Sequence, residues 1–316
     1  MKPIILIPII IGSVLLTAGA TVFAVAVANA NKVEPQTFEY KLDDKEFANF
    51  NFDLDTSDVE FVVSNEKKVV VTETKNVVHD VVVSDNTLIV KQKDNRKWYQ
   101  YAFSFVQFKI RATVYLPAGT YGDFKFNNHT GDLLVPNNYT FNNVSVEEHT
   151  GNVNMKTPVN NTVNIKASTG NITLADMNPK SLNIKVDTGN VKLDNMNVEG
   201  DIKSESSTGN QKLTGIRCTN LNIKTSTGNQ SLTDVVASKV MTLRASTGDI
   251  KLDGCDGIEK IDIKTSTGFI KGTILTGKVF IASSSTAKPH VPENDRSGGD
   301  CILETSTGAI NISIKG

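Results

Sequence analysis

The chain has 316 residues, with 33 lysines and arginines against 34 aspartates and glutamates, for a formal net charge of −1. That balance argues against a nucleic-acid partner, or any polyanion drawn in by the charge of the whole chain. Aromatic residues make up only 7% and tryptophan occurs once, at Trp98, which disfavours a compact globular core.

The N-terminal stretch is set apart from any water-soluble fold. After Lys2 no charge occurs until Lys32, and residues 3–30 are apolar or small apart from Ser13, Thr17, Thr21 and Asn29. A membrane-crossing helix needs roughly 20 apolar residues, whereas the apolar part of a signal peptide has roughly 7–15. The length predicts a single transmembrane helix over 3–30, kept as an anchor, followed by a short linker over 31–37. Ala28-Asn29-Ala30 also has the small-residue form of a cleavage site, and cleavage after Ala30 would secrete the remainder. Either outcome places residues 31–316 outside the cytoplasm. The expected location is the cell membrane, single-pass, with the C-terminal domain extracytoplasmic.

Residues 38–127 read as N-terminal β coils and a cap. In "FNFDLDTSDVEF", Phe50, Phe52, Leu54, Thr56, Val59 and Phe61 alternate with polar residues, the period of a strand with one buried face. Ser57 interrupts the alternation. Further on, "DNRKWYQYAFSF" sets Trp98, Tyr99 and Tyr101 beside Arg96 and Lys97. These aromatics are expected to cover the end of a repetitive core. In the alternative they stack on a sugar or contact lipid headgroups.

Residues 128–316 are regular. Thr-Gly pairs place glycines at Gly131, Gly151, Gly170, Gly189, Gly209, Gly228, Gly248, Gly268 and Gly308. The steps are 19 or 20 residues until the last, which is 40, so one copy has lost its glycine near Ser285, Thr286 and Ala287. Fixed self-similarity at this period signals a solenoid, whose repeats bury apolar surface only against their neighbours. Seven, five and three residues before the glycine the chain is inward-facing, as with Leu221, Ile223 and Thr225. Two and four after it the inward set resumes, as with Ile250 and Leu252. The glycine is therefore a corner, where a left-handed φ suits a residue without Cβ. The threonine before it, and asparagines after it such as Asn171, Asn190 and Asn210, are expected to ladder between coils. Gln211 and Gln230 would do the same inside. The fold class is all-β: a parallel β-helix of about ten 19–20-residue coils, preceded by the transmembrane helix. No cap follows Gly308, so the C-terminal coil is expected to leave an open edge available for end-to-end self-association.

The layout of a membrane segment, a "DTSDVEFV" coil, "VYLPAGTYGDFKFNNHTGDLLV" and serial "STGN/D" coils resembles a bacterial family of putative adhesins of unknown function, built as β-solenoids. The likeness covers about residues 40–316, and its most specific piece is Leu116-Pro117. It implies a cell-envelope protein with a proposed adhesive role and no agreed catalytic residues.

Cys218, Cys255 and Cys301 cannot all pair, form no CxxC and fall in apolar columns, so they read as core. Parallel β-helices also serve as polysaccharide-cleaving enzymes, which need converging carboxylates. Here the outward carboxylates are scattered, so no catalysis and no cofactor is expected. His129 and His149 share a position two residues before the glycine and form a weak metal candidate without a third ligand. Four residues before the glycine stand Lys166, Lys185, Lys224, Arg244 and Lys264. They are a candidate ladder for an anionic wall polymer, against the plainer reading of a solvated outer face. The partners expected are thus the membrane and a cell-wall polymer, glycan or surface protein. The functional expectation is non-enzymatic surface binding or adhesion. Its alternatives are a self-assembling spacer and an envelope-stress sensor acting through a partner.

Overall fold

A computed structural model describes residues 34–96 and 109–316. The expected anchor over 3–30 and the aromatics Trp98, Tyr99 and Tyr101 lie outside the described residues. Among the described residues every regular element is a strand.

Parallel ladders run the length of the molecule. Tyr139–Thr150 pairs with Val159–Thr169, which pairs with Ser181–Thr188 and so onward, each residue facing the same position one repeat later. The second strand of each coil stacks likewise, as Ile172–Met177 on Val191–Asn197. The stack makes about nine turns. The degenerate copy around Ser285 supplies a strand, Val279–Ser284, and lies against the Gly308 corner, where the Ser284 hydroxyl donates to the Gly308 carbonyl and the Gly308 N–H donates to Thr286 Oγ1. Within the stack the inward columns are sealed: Leu221, Ile223, Ile250, Leu252, Cys218, Cys255 and Cys301 are buried. Burial pushes the Cys218 and Cys301 thiols up to about 12 and Cys255 to about 11, so all three remain protonated and inert. Aromatics fill the N-terminal coils. Phe50, Phe61, Phe124 and Phe141 lie with ring centroids 5.2–6.4 Å apart, within the range of favourable ring packing.

The corner needs glycine for a stronger reason than backbone freedom. Gly228 has φ 145°, and a Cβ there would stand 2.0 Å from the carbonyl oxygen of Gly209 in the coil beneath. Gly151 would meet the Gly131 carbonyl at 1.8 Å. Glycines stack on glycines so closely that the carbonyl of one coil fills the place of a side chain in the next.

The ends depart from sequence order. The coil Asn49–Thr56 with Asp58–Val63 stacks under Asp123–Thr130 and Leu133–Val135. Beneath it lie strands that come later in the chain, Thr87–Asp94 and Arg111–Leu116. The outermost strands are antiparallel. Val77–Ser84 returns on Thr87–Asp94 through Asp85 and Asn86, both left-handed, while Lys68–Glu73 joins Arg111–Leu116 to Gln36–Lys41. The cap is therefore a pair of antiparallel additions to a parallel stack. The other end corrects the expectation of an open C-terminal coil. Asp300–Thr307 stacks directly on Lys260–Thr267, and the earlier strand Val279–Ser284 lies outside it. His290 bridges Asn311 on the neighbouring sheet. The last coil is thus sandwiched. A buried ion pair holds the chain where it leaves the stack: Lys278 Nζ is 2.9 Å from Asp256 Oδ1. Lys278 Nζ also donates to the Ile258 carbonyl, and Thr276 Oγ1 donates to Asp256 Oδ2.

Candidate functional site

Parallel stacking turns each sequence position into a row along the molecule. The expected cationic row four residues before the glycine does form. Lys166, Lys185, Glu205, Lys224, Arg244, Lys264 and Glu304 follow one another in register. Three of its five cations have direct partners: Lys166 with Glu147 at 2.9 Å, Arg244 with Asp262 at 2.7 Å and Lys264 with Glu304 at 2.8 Å. Glu205 separates Lys185 from Lys224 and pairs with Lys203 at 3.0 Å. Lys203 chiefly, with Lys224 and Lys185 behind it, holds the Glu205 carboxyl below the usual range. The row is a mixed-charge face rather than a clean cationic line.

The Ser-Thr pair before the glycine differs from expectation. The alternation that buries Thr225 predicts an inward Thr227, yet both Ser226 and Thr227 are exposed. The same holds for Thr130, Thr150, Thr169, Thr188, Thr208, Thr247, Thr267 and Thr307. These nine threonines are in register, but no side-chain hydrogen bond joins them to each other or to anything else among the described residues. The hydroxyl ladder is not made; an exposed row of free hydroxyls stands in its place. The amide ladder beside it is made. Asn171 Nδ2 donates to Asn152 Oδ1 at 3.1 Å and Asn190 Nδ2 to Asn171 Oδ1 at 3.1 Å. Each side-chain oxygen also accepts the backbone N–H of the next coil, from Asp132 through Asn229 to Asp249 and Phe269. Gln211 and Gln230 span the core instead of bonding each other. Gln211 Nε2 donates to the Lys224 carbonyl and Thr225 Oγ1, and Ser204 Oγ donates to Gln211 Oε1.

His129 and His149 stack face to face, centroids 4.5 Å apart and 13° from parallel. His129 Nδ1 lies 3.5 Å from Asp55. No cluster of three metal-ligating side chains occurs among the described residues. The pair is therefore not assembled as a metal site.

Two features went unread in the sequence. The first is a line of buried polar groups at the N-terminal corner. Ser57 Oγ is 3.1 Å from His79 Nε2, and His79 Nδ1 is 3.3 Å from Glu73 Oε1. Asn128 Nδ2 donates to both the Ser57 carbonyl and Glu148 Oε2. Serine, histidine and glutamate in this order resemble a nucleophile with its base and orienter. Catalysis has no room here. Ser57 is 1% exposed, and the amides that would stabilise an oxyanion, those of Ser57, Asp58 and Gly131, all donate to neighbouring carbonyls. Burial lowers the His79 ring to about 4 and raises Glu73, while burial lifts Glu148 to about 8. The line plugs the corner, and Ser57 carries a side chain because His79, not a glycine carbonyl, lies against its hydroxyl.

The second is another corner, six residues after the glycine. Asp176, Asn195, Gly215, Asp234 and Gly254 all have φ between 50° and 62°. The signal was present as Leu-x-[Asp/Asn/Gly]-apolar in successive copies, since these residue types tolerate a left-handed backbone best. An open groove of about 560 Å³ runs along it, lined by Asp176, Asn178, Asn195, Asn197, Arg217 and Asp234. Arg217 is folded against Asp234 at 2.7 Å.

These features define a class: an all-β solenoid that sets exposed side chains in register along its coils. The chain belongs to the Toastrack DUF4097 family, whose profile matches residues 47–208, about half its length. No curated protein matches it. Among solved structures, one from Bacteroides fragilis NCTC 9343 described as a putative adhesin is 19% identical. The match covers 76% of this chain and 96% of that one, with TM-score 0.44. Another so described, from Parabacteroides distasonis ATCC 8503, is 14% identical over 77% and 97%, with TM-score 0.45. A third, from the same Parabacteroides strain and described as a putative lipid binding protein, is 17% identical over 90% and 97%, with TM-score 0.39. None of the three carries a functional conclusion to this chain.

Proposed function

We propose that this protein is a membrane-anchored, extracytoplasmic solenoid that holds an extended envelope partner along its long face without chemical turnover. The observation that carries this is the row of nine exposed threonines whose hydroxyls have no hydrogen-bond partner among the described residues. Glycine at the corner is fixed by sterics and asparagine by its ladder, but the fold makes no use of these hydroxyls. A straight row of hydroxyls at the strand spacing of about 4.8 Å offers many weak, identical contacts. That suits a polymer or an ordered surface better than a small molecule. The apolar segment over 3–30 supplies the anchor in this reading, and the scattered outward carboxylates support a non-enzymatic role.

Co-sedimentation of the intact chain, in detergent micelles, with purified cell-wall material tests the proposal. Retention of the protein with unaltered polymer is the expected result. Release of soluble sugar fragments, or failure to be retained by any wall or surface fraction, would overturn it.

A further inference from the structure

A second row of lysines stands on the opposite side of the glycine corner, three residues after it. Thr173, Lys192, Lys212, Ser231, Lys251, Lys271 and Asn311 follow one another in register. All four lysines are exposed, Ser231 is the only gap among them, and no acid occupies the row between Thr173 and Asn311. Like charges directly opposite on neighbouring strands destabilise a sheet. The row four residues before the glycine also sets Lys166 opposite Lys185 and Lys224, Arg244 and Lys264 in succession, but Glu147, Glu205 and Glu304 stand within it. No carboxylate stands within this one between Thr173 and Asn311.

The surrounding groups leave the row cationic. Asp194 lies 3.3 Å from Lys192. Asp253 is taken by Lys315 at 3.1 Å, and Asp249 accepts the Phe269 amide. Lys271 lies over the Phe269 ring at 5.7 Å. Lys212 and Lys251 have no ion pair among the described residues. The whole-chain charge of −1 does not oppose a local anion site, because charges beyond about 8–10 Å are screened in physiological salt.

We propose that Lys192, Lys212, Lys251 and Lys271 form the binding line for a linear polyanion of the cell envelope bearing a carboxylate or phosphate on each unit. This rests on the surface-binding reading above and gives that partner its chemistry. The lysines grip successive anionic groups along the stack axis, each weakly, and the sum supplies the affinity.

The test uses the intact chain in detergent micelles with four probes: polygalacturonate, inorganic polyphosphate, neutral dextran and duplex DNA. Binding to polygalacturonate or polyphosphate, weakened by salt and absent for dextran, is expected, and the two arms separate carboxylate from phosphate. Changing the four lysines together to glutamine lowers affinity roughly 100-fold. Changing Lys166, Lys185, Lys224, Arg244 and Lys264 to glutamine leaves it essentially unchanged. Equal loss in both sets, no binding to either polyanion, or equally tight binding to DNA would overturn the proposal. Wall material still retained by the Lys192/Lys212/Lys251/Lys271 variant would remove this row yet leave the surface-binding reading standing. No retention even of the unaltered chain would remove both. The eight lysines are exposed and Arg244 is half-buried against Asp262, and an unchanged melting temperature checks that each variant is folded.

Discussion

Ser57 and Gly228 occupy equivalent slots, and the contrast between them tests how the corner works. Gly228→Ala drives a methyl into the Gly209 carbonyl 2.0 Å away, and should cost about 2–4 kcal/mol in urea unfolding. Ser57→Gly removes the hydroxymethyl group whose oxygen meets His79 and should cost about 1 kcal/mol. The buried line beside it also makes stability depend on pH. His79 titrates near 4 in the fold against 6.5 ordinarily, so the unfolded chain binds more protons and stability falls as pH drops through that window. Glu148 titrates near 8 against 4.5, so the folded chain holds the extra proton and stability falls as pH rises from 4.5 toward 8. Above pH 6.5 the His79 contribution has ended while that of Glu148 continues to pH 8. Unfolding free energy should decline there, and Glu148→Gln should abolish the decline; an unchanged slope in the variant would contradict the assignment. None of this line was legible in the sequence. Ser57, His79 and Glu73 fall at unrelated positions of an irregular region, and only the insertion of later strands beneath the first coil brings them together.

At the scale of elements, the repeat was legible because parallel stacking forces one residue type per row. The inward columns, the glycine corner and the asparagine ladder followed from period and alternation alone. The threonine was misassigned because alternation was carried one residue too far: two successive residues face outward at the corner, so parity breaks at Ser226 and not at Gly228. The stacking order of the strands in the cap and at the last coil was missed for another reason. Sequence order suggests stacking order, and at both ends the chain doubles back. The Asp256–Lys278 pair fastens the C-terminal reversal, which gives it a measurable role. Asp256→Ala leaves a buried lysine without its partner and should cost about 3–5 kcal/mol. Hydrogen exchange should accelerate in Val279–Ser284 and Asp300–Thr307 while the central coils stay protected. Replacing both partners, as Asp256→Leu with Lys278→Met, should restore most of the loss. Equal deprotection along the whole stack would show that the end is not a separate unit.

At the scale of the molecule, the proposed role needs both an anchor over 3–30 and a long patterned face. The anchor is tested by where the chain fractionates. Intact protein starting near Met1 in the membrane fraction is expected, and a soluble form beginning at Asn31 would show that the segment is cleaved. The face is the central claim: the recurring Ser-Thr-Gly phrase builds a corner, and the threonines it leaves exposed are there to bind. Replacing Thr169, Thr188, Thr208, Thr227 and Thr247 by valine keeps the β-branched shape and removes only the hydroxyls, which have no hydrogen-bond partner among the described residues. Retention of this variant on purified cell-wall material, compared with the unaltered chain at equal melting temperature, is the most direct measurement. The account predicts an unchanged fold with retention lost, whereas undiminished retention by the valine variant would contradict it.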